Sequence, residues 1–268
     1  MKKKVFLSMV FILVCLFDSI ALALDPMGPP AATLKKGKFS AGAEYSHSEM
    51  KLQLEDGQWD CIHGSSGPLA PFKIKNRMNK VYSRIGYGLR DDWEVFLRLG
   101  AADAEFANTY GEKFNCGSEF STGFGTKFTF YKREKLTLGG LFQISWSSSS
   151  GRAYVQNDQY NSDDFMSDSV EISLTETQIA VGPSYQLNDK ISLYGGPFMH
   201  FVDGSIKGKW HDADPDSGDE SLDIERRIRL GGYVGTQINV TENLHFNIEY
   251  QHTTQADAIG VSLIMWLS

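Results

Sequence analysis

Asp212-Ala213-Asp214-Pro215-Asp216-Ser217-Gly218-Asp219-Glu220 sets carboxylates at alternate positions, with Asp223 twelfth from Asp212. Oxygen ligands at such spacing wrap a hard cation such as Ca²⁺, and Asp212, Asp214 and Asp216 are the residues that would hold it. An EF-hand loop needs glycine at its sixth position, where this chain has Ser217, and no helices flank the run. A solvated acidic loop without a cofactor is therefore the preferred reading. Two other groupings could do acid–base work. Asp163-Asp164 and His211-Asp212 would form a carboxylate and His/Asp set if neighbouring loops met. His252 lies two residues from Thr254, a hydroxyl that a base could activate. Against that, a histidine beside a short turn needs no catalytic role. Cys61 and Cys116 show neither CxxC nor Cys/His spacing, so redox and zinc chemistry are not indicated.

The elements that carry these residues belong to a chain of 268 residues with 26 Gly, 8 Pro and 12% aromatics. A formal charge of -7 excludes the basic face that a nucleic-acid binder requires. Lys2-Lys3-Lys4, the apolar run Val5–Phe17 and Ala21-Leu22-Ala23 read as a secretory signal peptide over residues 1–23. The apolar run is too short for a permanent helical anchor. Cys15 is preceded by branched Val14 and followed by Leu16-Phe17, which favours its loss with the signal over lipidation. Export puts Cys61 and Cys116 in an oxidising compartment, where a pair is expected to bridge. A loop of that length would contribute about 4 kcal/mol in the chain-entropy picture.

From residue 37 onward the dominant period is two. Val81, Ile85, Tyr87 and Leu89 share one face, with Tyr82, Arg84, Gly86 and Gly88 on the other. Leu244, Phe246, Ile248 and Tyr250 alternate with His245, Asn247, Glu249 and Gln251. Ten strands are predicted, near residues 38–53, 76–89, 93–106, 118–131, 136–150, 169–187, 191–208, 222–240, 244–255 and 257–268. Tight polar turns at 90–92, 132–135, 188–190 and 241–243 alternate with long loops at 54–75, 107–117, 151–168 and 209–221. Short turns at one end and long loops at the other imply an up-and-down antiparallel sheet. The sixth strand breaks phase at Thr175–Thr177, which predicts a β-bulge.

One face of these strands carries Glu44, Arg84, Glu94, Arg98, Lys127, Arg227, Arg229 and Glu249. A water-soluble barrel would bury its apolar face. Mixed charges inside and an apolar exterior with Tyr45, Tyr87, Trp93, Trp146, Tyr185 and Tyr250 near strand ends are the membrane arrangement. Through segments such as Trp93–Gly100, Leu230–Val240 and Leu244–Gln251, residues 37–268 resemble the outer-membrane protein A/X-like barrels of Gram-negative bacteria. The last strand, Ile259–Ser268, is similar to that family's C-terminal insertion signal but ends in serine instead of an aromatic residue. The resemblance implies outer-membrane lipid, lipopolysaccharide and the barrel-assembly machinery as partners. It leaves oligomeric state open.

The expectation is thus an all-β, transmembrane, antiparallel up-and-down barrel of about ten strands over 37–268, after a plain lead-in at 24–36 that forms no plug. Its charged residues would form an ion-pair network filling a narrow lumen, with disulfide-braced outer loops. The leading functional reading is a non-enzymatic structural or surface-interaction barrel. A narrow ion or solute channel is the alternative. A rim hydrolase is the third, resembling the omptin-like proteases at Asp163, Asp164, His211 and Asp212, or the lipid A deacylases at His252. The spacing departs from the first pattern, and Thr254 replaces the serine of the second.

Overall fold

The computed structural model describes residues 24–61, 66–107, 113–156, 165–211 and 217–267. In chain order the strands are β1 (Phe39–Cys61), β2 (Ser66–Leu69), β3 (Phe72–Arg90), β4 (Trp93–Ala107), β5 (Lys113–Arg133), β6 (Leu136–Gln156), β7 (Phe165–Gln186), β8 (Ile191–His211), β9 (Ser217–Asn239), β10 (Leu244–Thr253) and β11 (Ala256–Leu267). Each long strand pairs antiparallel with its chain neighbour, and β1 closes the ring on β11 from Phe39↔Leu267 to Met50↔Ala256. The barrel therefore has ten long strands, with four-residue β2 folded back on the tip of β1. Closure removes the sheet edges that would otherwise leave a row of unpaired backbone groups in lipid.

β10 and β11 are shorter than the other long strands, at 10 and 12 residues. Above their turn, β1 reaches across to β9 and pairs from Leu54↔Ile224 to Cys61↔Gly218. The wall is continuous there only because β1 and β9 each run 23 residues. The long loops anticipated at 54–75, 151–168 and 209–221 are accordingly mostly strand.

A tilted strand crosses a bilayer with about 9–11 residues, so strands of 19 to 23 extend well past it. Their side chains record the crossing as a reversal of polarity. In the half nearest the tight turns, Val81, Ile85, Leu97, Leu230 and Val234 point outward and are more than half exposed. The inward positions of the same segments are Glu44, Arg84, Arg98 and Glu249. In the far half the inward positions become apolar: Leu52, Leu54, Ile74, Ile172, Leu174 and Ile224 are all at most 4% exposed. Lipid covers the outside of the first half, whereas the second stands in water and must bury its own core. Each such side chain stabilises that upper half by about 1.5–3 kcal/mol.

This reversal corrects the bulge anticipated at Thr175–Thr177. β7 pairs without a register shift across those residues on both sides. Val170, Ile172 and Leu174 face in, Glu176 follows them on the same face, and lipid-facing Val181 takes the opposite parity. The polarity changes phase; the backbone does not. Bulges occur instead at points such as Ala102/Ala104, Cys116/Ser121 and Val202/Gly204.

Candidate functional site

The lumen is occupied by the chain's own amino-terminal segment, which corrects the expectation of a plain lead-in without a plug. At the tight-turn rim, Gly37 N–H donates to Gly88 O at 2.8 Å and Lys36 N–H to Asp91 Oδ1 at 3.0 Å. Gly37 takes φ of 76°, a left-handed conformation that lets the chain turn inward. Gly88 admits the crossing because a Cβ there would lie 2.1 Å from Lys35 O. From that rim the segment runs up the barrel. Leu34, Ala31, Met27 and Leu24 are buried, the last two completely.

A backbone buried away from water must place each of its N–H groups. Pro26, Pro29 and Pro30 carry no N–H, which removes three donors. Four of the others go to two carboxylates. Glu94 Oε2 accepts from Thr33 N at 2.7 Å and Leu34 N at 3.0 Å, and from Thr33 Oγ1 at 3.1 Å. Glu249 accepts from Met27 N at 2.6 Å and Gly28 N at 2.7 Å. Carbonyls are read by donors of the wall: Lys127 Nζ donates to Pro29 O at 2.7 Å, Gln251 Nε2 to Asp25 O at 2.9 Å, and Arg98 to Pro26 O.

The charges that grip the segment are also tied to one another. Arg84 bridges Glu44 at 3.1 Å and Glu94 at 3.3 Å, and Arg98 Nε reaches Glu44 at 2.6 Å. Lys80 Nζ sits between Asp25 at 3.0 Å and Glu176 at 2.6 Å. Arg84 lies 3.9 Å above the Phe96 ring, whose face also attracts Arg98 at 4.9 Å. Buried charges persist only when paired and hydrogen-bonded in this way. Between segment and wall remains a cavity of about 20 Å³ beside Gly28, Pro29, Arg84, Glu94, Lys127 and His245. That is room for a single water.

Of the expected lumen residues, Glu44, Arg84, Glu94, Arg98, Lys127, Arg229 and Glu249 lie buried inside. Arg229 Nε donates to Gln255 Oε1 at 2.8 Å at the β10–β11 turn. The side chain of Arg227 lies outside the described residues. Sequence reading missed Asp25, Lys80, Glu176, Gln143 and Gln251. Lys80 is in phase with Arg84, and Glu176 with Gln178, so strand parity could have found them. Nothing in a Pro-containing lead-in announces that it folds inward.

Asp212, Asp214, Asp216, Asp163 and Asp164 lie outside the described residues, as does the His211 side chain. No group of three or more metal-ligating side chains is found among the described residues. His252 points outward from β10, and its Nδ1 contacts Asp257 Oδ1 at 2.5 Å. Tyr250 OH donates to the same oxygen at 2.8 Å, so that carboxylate organises an aromatic pair on the outer wall. Thr253, which caps the adjacent turn by accepting from Ala256 N at 2.8 Å, is the hydroxyl held in a defined place there.

The expected bridge to Cys61, whose side chain lies outside the described residues, is not shown; Cys116 carries a free, buried thiol. It pairs with Ala104 on β4 and Gly151 on β6, whereas Cys61 ends β1 beside Gly218 of β9. The crossing of β1 to β9 carries Cys61 away from the β4–β6 side. Cys116 lies above the lipid-facing belt, where burial, with Glu119 and Asp103 nearby, pushes its pKa up to about 11. At the outer mouth an open cleft of about 660 Å³ is bordered by Gln58, Asp60, Glu171, Lys207, Lys209 and Glu220.

The model of the family described as outer membrane protein beta-barrel domain matches residues 136–260, from β6 into β11. The outer membrane protease OmpT of Escherichia coli is similar in fold at 10% identity, covering 88% of this chain and 96% of that one with a TM-score of 0.50. OprG of Pseudomonas aeruginosa matches at 8% identity, 87% and 97% coverage and TM-score 0.42. The toluene transporter TodX of Pseudomonas putida matches at 8%, 92% and 99%, and 0.44. No curated protein sequence matches this chain.

Proposed function

We propose that this chain, an outer-membrane β-barrel, works as a closed barrel of structural or surface-interaction type and not as an open pore or an enzyme. One observation carries the reading: the lumen is filled along its length. Residues 24–34 and their charge network occupy the membrane half, and the apolar core occupies the half above it. A hydrated ion would have to displace a segment held by Glu94, Lys127, Arg98 and Glu249 and then part a core of Leu, Ile and Phe. Neither step is open to simple diffusion through a static channel.

What faces outside is then the working surface. The upper barrel raises the mixed-charge cleft near Asp60, Glu171, Lys207 and Glu220 clear of the lipid belt. Its proposed partners are lipopolysaccharide at the belt and molecules approaching the outer mouth. The signal at residues 1–23 supports export, and the reading assigns the chain to the Gram-negative outer membrane.

Planar-bilayer recording of membrane-purified protein tests this. A folded barrel that gives no stable current steps is the expected result. Reproducible unitary steps from folded protein would overturn the closed reading in favour of the channel.

A further inference from the structure

The inner end of the lumen segment poses a topological problem. The chain enters at the tight-turn rim through Lys36 and Gly37 and climbs to Leu24, which is 0% exposed and packs into the apolar core. Below Leu24 the lumen holds residues 25–34. Above it lie Met50, Met78, Ile172 and Leu174, each at most 3% exposed. The 23 residues that precede Leu24 in the sequence include Lys2, Lys3 and Lys4. Burying the ammonium groups of Lys2, Lys3 and Lys4 in such a core would cost several kcal/mol each.

Two acceptors grouped around Asp25, the residue after Leu24, lack a donor. Lys80 Nζ touches Asp25 on one side and Glu176 Oε2 on the other, so Glu176 stands across one ammonium from the residue that follows Leu24. Its second oxygen, Oε1, is buried and makes no hydrogen bond. The same holds for Gln143 Oε1, although Gln143 Nε2 reaches Asp25 O at 3.3 Å. Orphaned buried acceptors are costly, and two around the same short stretch of the segment call for a donor-only group.

We propose that cleavage after Ala23 creates the missing group, a Leu24 α-ammonium bound inside the barrel by Glu176 and Gln143, and that the segment seats only once the chain is processed. Hydrolysis of the Ala23–Leu24 amide consumes one water and leaves a carboxylate on the released signal and an ammonium with three N–H donors on the mature chain. The lumen is then a binding site for a primary ammonium carried on a proline-containing peptide. Filling of the membrane half of the lumen becomes a consequence of signal removal. The proposal rests on the closed-lumen reading and goes one step beyond it.

The test uses full-length protein expressed with residues 1–23 and purified from outer membranes. Its intact mass should correspond to a start at Leu24; any other start overturns the proposal. An acetyl N-hydroxysuccinimide ester at neutral pH should label the Leu24 amine at least about 100-fold more slowly in folded than in urea-unfolded protein. Exposed Lys35 and Lys36 should react at similar rates in both states and serve as internal controls. Equal labelling of the Leu24 amine in the two states would overturn the buried ammonium. In Glu176→Gln, with folding checked by heat-dependent gel mobility, labelling of the Leu24 amine should rise about tenfold or more; no change would remove Glu176 from the site. Unprocessed protein of residues 1–268, refolded in vitro, should exchange the amides of residues 25–34 at least about tenfold faster than the processed form. Equal protection in the two forms would overturn the seating claim. A conducting processed barrel with a protected Leu24 amine would sink the closed-lumen reading alone, and a silent one with a reactive amine would sink the ammonium site alone.

Discussion

Replacing Glu249 with glutamine keeps the shape of the lumen and removes one charge from the grip on the amino-terminal segment. The carboxylate accepts four hydrogen bonds: Met27 N and Gln251 Nε2 on Oε1, and Gly28 N and Tyr194 OH on Oε2. Whichever way the new amide turns, its NH₂ faces one backbone N–H of the segment and one side-chain donor. One charge-assisted bond to the segment is lost outright, worth about 1.5–3 kcal/mol, and the other falls to a neutral bond of roughly 1 kcal/mol. The segment should therefore open more easily by about 2–5 kcal/mol, a factor of about 30 to 4,000. Hydrogen exchange of the peptide spanning residues 24–36 reads that opening directly, because amides in a local unit exchange through its own opening equilibrium. Glu94→Gln, whose carboxylate accepts Thr33 N and Leu34 N, should act in the same direction. Unchanged exchange at residues 27–34 in folded Glu249→Gln would refute the account of how the lumen is filled.

Three further outcomes follow from other contacts. In Gly139→Leu, the new Cβ would lie 2.3–2.6 Å from Cα, N and Cβ of Ala31; the segment should be displaced and the amides of residues 25–34 should lose their exchange protection, whereas a fully folded variant with unchanged protection would contradict the packing. Ile172→Asp, fully buried in the upper core, should cost about 3–5 kcal/mol and expose the outer half to added protease, while Leu97→Asp on the lipid face should instead impair membrane assembly; protease resistance equal to wild type in the first would argue against a core above the membrane. The Cys116 thiol, with its pKa raised to about 11, should alkylate faster by about tenfold per pH unit from pH 8 to 10, since only the thiolate reacts. Because the folded state holds that proton more tightly than the unfolded chain, its contribution to stability is intact below pH 9 and declines as pH rises towards 11. A labelling plateau near pH 8.5 would show the thiol to be unburied.

Period-two alternation with charges on one face was enough to establish an antiparallel membrane barrel, because lipid contact and lumen contact impose opposite polarities on neighbouring residues. Val81, Ile85 and Leu97 outside with Arg84 and Arg98 inside were legible from residue types alone. So was strand number, because tight turns such as Arg90-Asp91-Asp92 recur at regular spacing. Local sequence could not show where a strand leaves the membrane. Along β1 the even positions pass from Glu44 to Met50, Leu52 and Leu54 with no change of period, so the water-facing strand beyond residue 53 reads as loop from sequence, and at Thr175–Thr177 the same polarity change reads as a bulge. Cys61 and Cys116 fell in neighbouring outer segments of the chain, yet the reach of β1 to β9 sent them to different parts of the rim.

Alternation, strand count and a charged interior are legible in residue order, since each rests on contacts between residues close along the chain or on one repeated polarity. What fills that interior is settled by long-range contacts. Asp25 meets Lys80 across 55 positions and Met27 meets Glu249 across 222, separations over which no period or spacing carries information. A proline-containing segment reads as a linker until a ring of carboxylates and cations surrounds it. The physical reason it lies inside is the cost of unpaired buried charge: Glu94, Glu249 and Lys127 need partners in a lumen too narrow for bulk water, and the backbone of residues 25–34 supplies them.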